Sequence, residues 1–214
     1  MISKFVRRIF SPASISVNIP SPRLGIQPTL LNMSEELYND ALFFVSQEKG
    51  TIDSAIRLRY RRMALICFCA SSEAYINGEL RRFISNKNST SRTSYEQKVL
   101  DFIEQPTATL PSNYLGIKPR LYRCVGKIFA GQFLDLNNNT ISSFEKFIEL
   151  TEARNAIAHY ATKNREVVYD QYFGVSPMGI TKSVNDAPKT IFDLYHEIHS
   201  FNSAFAIPSW ITPT

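Results

Sequence analysis

The sequence predicts an all-α protein: an up-and-down bundle of four to six helices carrying an irregular basic N-terminal arm. Three observations point there. Apolar residues recur at helical spacing over long stretches, capping residues stand at the ends of those stretches, and strand signals are sparse. Of 214 residues, 44 % are hydrophobic and only eight are Gly, which suits a packed core and not a disordered chain. The length fits one domain, read here as residues 31–214, with residues 1–30 as the arm.

In chain order, Pro12, Pro20, Pro22 and Pro28 break residues 10–30 into extended or turn structure. Lys4, Arg7, Arg8 and Arg23 precede the first acid, Glu35. That composition is shared by mitochondrial transit peptides and by basic arms of bacterial cytosolic proteins; the second reading is adopted. A first helix is expected from Met33 to about Glu48, with Ser34 as N-cap, Glu35 and Glu36 in the first turn, and Gly50 past the end. The longest helix should run from about Asp53 to Ser85. It opens with Arg57, Arg59, Arg61 and Arg62, and its middle, residues 63–70, is apolar on all sides, as befits the central helix of a bundle. A polar loop over 86–94 follows. Shorter helices are expected over 95–104 and 120–130, separated by Pro106, Pro111 and Pro119, and Asn137 to Asn139 reads as a turn. Ser142 with Glu145 offers a capping box for a helix carrying Phe144, Phe147, Ile148, Thr151 and Ala158 at helical spacing. Val167, Val168 and Tyr169 suggest a short strand. Gly174, Pro177 and Gly179 mark turns. A last amphipathic helix over 188–205 should bury Ile191, Leu194, Tyr195, Ile198 and Phe201.

Composition also narrows function. A net charge of +5 suits a phosphate-rich partner without requiring one. Cys67, Cys69 and Cys124 are odd in number and match no zinc spacing, so reduced thiols in a cytoplasmic setting are expected. The longest apolar run, residues 63–70, is too short to span a bilayer, and no membrane association is expected. His196 and His199 lack a third metal ligand at suitable spacing, and no glycine-rich phosphate loop is present; neither metal nor cofactor is expected.

Two polar features stand out. Glu73 lies on the apolar stripe of the long helix, between Cys69 and Ala70 one turn before it and Ile76 and Asn77 one turn after. A carboxylate there must be paired or hydrogen-bonded. Arg154 is one candidate partner; an edge position, solvated or paired with Arg57 or Arg82, is the other. Arg154 and His159 lie five residues apart, about 140° round a helix, whereas Asn155 and His159 share a face. A guanidinium holds phosphate and an imidazole moves protons near neutral pH, so the pair has the chemistry to cut RNA without a metal. An ordinary helix end, with His capping the last carbonyls and Arg solvated, uses the same residues.

The stretch Ala64-Leu65-Ile66-Cys67-Phe68-Cys69-Ala70-Ser71-Ser72-Glu73-Ala74-Tyr75-Ile76-Asn77, together with Glu152-Ala153-Arg154-Asn155-Ala156-Ile157-Ala158-His159, resembles the HEPN family. That family is marked by an Arg, then four to six residues, then a His, usually with a polar residue directly after the Arg. The resemblance spans roughly residues 35–205, although only the two quoted segments are specific. It implies a helical bundle that dimerises at the motif and acts as a metal-independent endoribonuclease in toxin–antitoxin or antiphage (abortive infection) systems. It also implies an acidic residue on the second main helix facing the Arg–His site, a position Glu73 matches. The implied catalytic residues are Arg154, His159, Asn155 and Glu73; Arg57, Arg61, Arg62 and Tyr160 are the candidate RNA contacts. Family members paired with nucleotidyltransferase antitoxins commonly carry a Tyr two residues after the His. Ala161 stands there and Tyr160 directly follows the His, so control by modification of that Tyr is not expected. The expected partners are RNA, a second copy of the chain, and a cognate antitoxin or defence-system protein. The alternative is a non-catalytic HEPN-like module that binds RNA or protein within a defence complex.

Overall fold

The computed structural model describes residues 32–105, 116–134, 141–158, 163–174 and 182–211. The N-terminal arm expected over 1–30 and the turn expected at Asn137 to Asn139 lie outside them. The described residues contain seven helices and no strand: α1 (Met33–Gly50), α2 (Ser54–Ser85), α3 (Ser94–Glu104), α4 (residues 117–129), α5 (Ser142–Ala158), α6 (Lys163–Phe173) and α7 (Ala187–Phe201). The all-α bundle is therefore as expected, with one helix more than the upper end of the expected range.

That extra helix is α6. Val167, Val168 and Tyr169, expected as a strand, lie within it. Two β-branched residues and an aromatic favour extended backbone locally, but Tyr169, Tyr172 and Phe173 fall at i, i+3 and i+4 and form one apolar helical stripe. Tyr172 and Phe173 are buried and Tyr169 packs against the core, so tertiary burial decides the conformation.

The long helix α2 forms the spine. Its N-cap is Asp53, whose Oδ1 accepts from the amides of Ala55 at 2.8 Å and Ile56 at 3.0 Å. Leu65, Phe68, Cys69, Ile76, Leu80 and Ile84 are buried along it. The apolar run is not enclosed on all sides, however: Met63 is exposed. α1 lies against α2 as a hairpin, and α5 packs on α2, α6 and α7. The N-cap of α1 is Asn32, not Ser34; Ser34 sits inside the helix, where its carbonyl accepts the hydroxyl of Ser71 and joins the hairpin. Gly50 is the last residue of α1 and not its successor.

α3 begins with a capping box that reading the sequence did not find: Glu96 N donates to Thr93 Oγ1 at 3.2 Å and Thr93 N donates to Glu96 Oε2 at 2.8 Å. The box expected at Ser142 does not use its acid that way. Tyr122 donates its hydroxyl to Glu145 Oε1 at 2.8 Å and accepts from Ile141 N at 3.0 Å, so a tyrosine from α4 secures the start of α5.

α4 starts before Arg120, because Pro119 lies in a first turn, where the missing amide proton is harmless. Its middle, Arg120–Val125, winds as a π-helix. Past its end the chain folds back: Leu134 N donates to Tyr122 O at 2.9 Å, and the Leu134 side chain would come within 2.7 Å of a Cβ at position 126. Only Gly fits at 126. α7 buries Ile191, Leu194, Tyr195 and Ile198 as expected but ends at Phe201, and the buried Phe205 belongs to the segment beyond. No described helix is long and apolar enough to cross a membrane.

Candidate functional site

Glu73 lies midway along α2, and Arg154 lies near the end of α5, one turn before its last residue. Packing of α5 against α2 brings them together although 81 residues separate them: Arg154 Nη1 donates to Glu73 Oε1. The intruding carboxylate on the apolar helix is thus neutralised by the cation of the Arg–His segment. The alternative partners do other work. Arg82 pairs with Glu79 at 2.5 Å, and Arg57 is exposed about 24 Å along α2 from Glu73 at 1.5 Å per residue.

The second Glu73 oxygen, Oε2, accepts from Arg120 Nη1 at 3.1 Å. Arg120 opens the π-helical stretch of α4 and was not among the predicted site residues. A signal existed: a helix thought to begin at Arg120 would set a cation against the positive end of its dipole, which calls for a carboxylate nearby. What the sequence could not give was which carboxylate.

Asn155 completes the arrangement. Its Oδ1 accepts from Arg154 Nε at 3.3 Å and Nη2 at 3.2 Å. Among the described residues, Glu73 and Asn155 therefore engage three of the five guanidinium N–H donors. The remaining two and a partly exposed side chain leave Arg154 able to reach an anion. Two cations share one anion, so the cluster keeps one positive charge in excess. Its field extends into the core: burial pushes the Cys69 thiol up to about 12, with Arg154 pulling it down and Glu73 pushing it up. Burial likewise raises the Cys124 thiol to about 12, opposed by a hydrogen bond from Tyr95 and the charge of Arg120.

His159 and Tyr160 lie outside the described residues, one and two positions past the last described residue of α5. Arg61 and Arg62, expected as RNA contacts, are engaged within the fold. Arg61 pairs with Glu48 at the end of α1 and donates to Tyr172 O at 3.3 Å, while Arg62 donates to the Tyr169 hydroxyl at 2.8 Å. Those contacts fasten α1 and α6 to α2. Arg57 and Arg59 are the exposed members of the cluster. His199 Nδ1 lies 2.7 Å from Phe205 O, and the His196 ring packs on Phe192 with centroids 4.2 Å apart, so both histidines serve the α7 surface.

A cleft of about 350 Å³ between α5 and α7 is lined by Lys146, Glu149, Tyr172, Lys182, Asp186 and Lys189, among others. Two ion pairs lie along it, Lys182 with Glu149 at 2.7 Å and Lys189 with Asp193 at 2.8 Å, and no predicted site residue lines it. The chain matches no protein-family model, no curated protein and no solved structure.

Proposed function

We propose that the protein is a metal-independent endoribonuclease of HEPN type, working as a homodimer in the cytoplasm as a toxin or antiphage effector. The observation that carries this reading is the Glu73–Arg154 pair. It holds a partly exposed guanidinium near the end of α5, five residues before His159 in the chain, and leaves it donors for a phosphate. Arg154 stabilises the charge on the pentacoordinate phosphorus. His159 of one protomer takes the 2′-hydroxyl proton, the 2′-oxygen attacks phosphorus, and the 5′-oxygen leaves with a proton from His159 of the other. Such proton transfer typically contributes ~10²–10⁴-fold. Asn155 orients the guanidinium and Glu73 fixes its position. The product ends in a 2′,3′-cyclic phosphate or its hydrolysis product.

The same ion pairs favour a second reading. Glu73 bound by two arginines also describes a clamp between α2, α4 and α5 in a module that binds RNA or protein without cutting. Expressing the wild type beside His159→Ala and mapping cellular RNA 5′ ends separates the two. Loss of cleavage with an intact dimer supports catalysis; unchanged toxicity from His159→Ala supports the binding module.

A further inference from the structure

We infer that the exposed ring of Phe133, with Arg123 and Lys127 above it, is a stacking site for a base of single-stranded nucleic acid. Phe133 is 44 % exposed, whereas Phe68, Phe144, Phe147, Phe173 and Phe205 are fully buried. One exposed apolar residue is ordinary by itself; its surroundings are not. The Arg123 guanidinium carbon lies 5.8 Å and Lys127 Nζ 5.6 Å from the ring centroid. Neither cation has a carboxylate partner among the described residues. Tyr95 meets the ring edge-on at 5.7 Å and steadies its plane.

The surrounding turn presents the ring from a fixed base. Gly131 adopts φ +75, and its carbonyl accepts from Lys127 Nζ at 3.1 Å. Leu134, the next residue, is buried, closes on Gly126 and is hydrogen-bonded to Tyr122 O. Cations over an aromatic face beside a polyanion's path form the usual sequence-tolerant grip on single strands. A base settling on the ring displaces a cation, which can then turn to the flanking phosphate. Arg120, which reaches Glu73, lies on the same helix as both cations. The inference rests on the nucleic-acid part of the reading above, and not on cleavage.

The test uses the full-length protein and a 2′-O-methyl oligonucleotide of about eight residues carrying 2-aminopurine, which cannot be cut through a 2′-hydroxyl. The wild type should bind it and quench the fluorophore. Phe133→Ala should lose the quench and weaken binding on the order of tenfold, while Phe133→Trp restores both. Arg123→Ala with Lys127→Ala should reduce the salt dependence by roughly one to two counterions. Phe133→Leu, which keeps the apolar bulk without the ring, guards against a folding defect and should behave as Phe133→Ala. Unchanged quenching in Phe133→Ala, no binding by the wild type, or equal competition by polyglutamate would each overturn the inference. Phe133-dependent binding by a wild type that cuts no RNA would leave the stacking site standing and remove the nuclease reading.

Discussion

Two interhelical Arg–Glu pairs in this protein share their chemistry and differ in exposure and in how the carboxylate is shared. Arg61 and Glu48 join α2 to the end of α1 with side chains only 13 % and 7 % exposed. Arg61 directs Nε and Nη2 at the same carboxylate oxygen and Nη1 at the Tyr172 carbonyl, engaging three of its five N–H donors, as Arg154 also does. Arg154 and Glu73 are 29 % and 21 % exposed. There the carboxylate is divided between two cations from different helices, and the guanidinium is more than twice as exposed as that of Arg61. The first pair can be understood from packing alone. The second has a surplus of positive charge, and its remaining donors belong to a more exposed side chain, which is what recognition of an anion requires. Arginines read together in the sequence as candidate RNA contacts separate by partner and exposure: Arg61 and Arg62 fasten helices, while Arg57 and Arg59 face solvent.

The largest expected effects come from exchanging each cation for Ala. Arg154→Ala should lower RNA cleavage by about 10³-fold, with little change in Tm. Arg61→Ala should leave cleavage per folded molecule unchanged but strand a buried carboxylate. That costs about 3 kcal/mol, or roughly 6–12 °C in Tm for a domain of this size. Reversed effects would show that the two pairs have been assigned the wrong roles. Glu73→Gln keeps the shape but not the charge that positions Arg154, and cleavage should fall about 10²-fold. In a double-mutant cycle with Arg154→Ala, the two losses should be far from additive, since both act through one guanidinium. Additive losses would separate them.

Smaller effects belong to the scaffold. Thr93→Ala removes one half of the α3 capping box and should cost about 1 kcal/mol by denaturant unfolding without altering cleavage. Burial pushes the Glu96 carboxyl up, but hydrogen bonds from Lys87 and Thr93 together hold it below its ordinary value. A carboxyl depressed by folding contributes stability above its unfolded pKa and loses that contribution as pH falls through the folded one. The acid limb of Tm against pH should therefore flatten in Glu96→Gln. Cys69 and Cys124, raised to about 12, should resist alkylation at pH 8 in the native protein and react on unfolding.

How much of this was readable in advance depends on sequence range. Glu73 was conspicuous because a carboxylate interrupts an apolar helical stripe, and Arg154 was a natural partner because cations outside the solvated faces are few. The carboxylate partner of Arg120 was not readable, since it depends on a π-helical turn and on contact with a residue 47 positions away. Helix α6 was misread because two adjacent valines outweighed a three-residue helical stripe in a short window. The caps were misplaced for a related reason. Ser34 has the right side chain for a cap, but its carbonyl serves Ser71 across the hairpin, a contact no local pattern encodes.

The central claim is that Arg154, held by Glu73, faces a scissile phosphodiester. Its most direct test incubates purified wild type and Arg154→Ala with a labelled RNA in EDTA and resolves the termini of the fragments. The account predicts fragments ending in 2′,3′-cyclic phosphate from the wild type and intact RNA from the variant. Cleavage abolished by EDTA, or equal cleavage by both proteins, would contradict it.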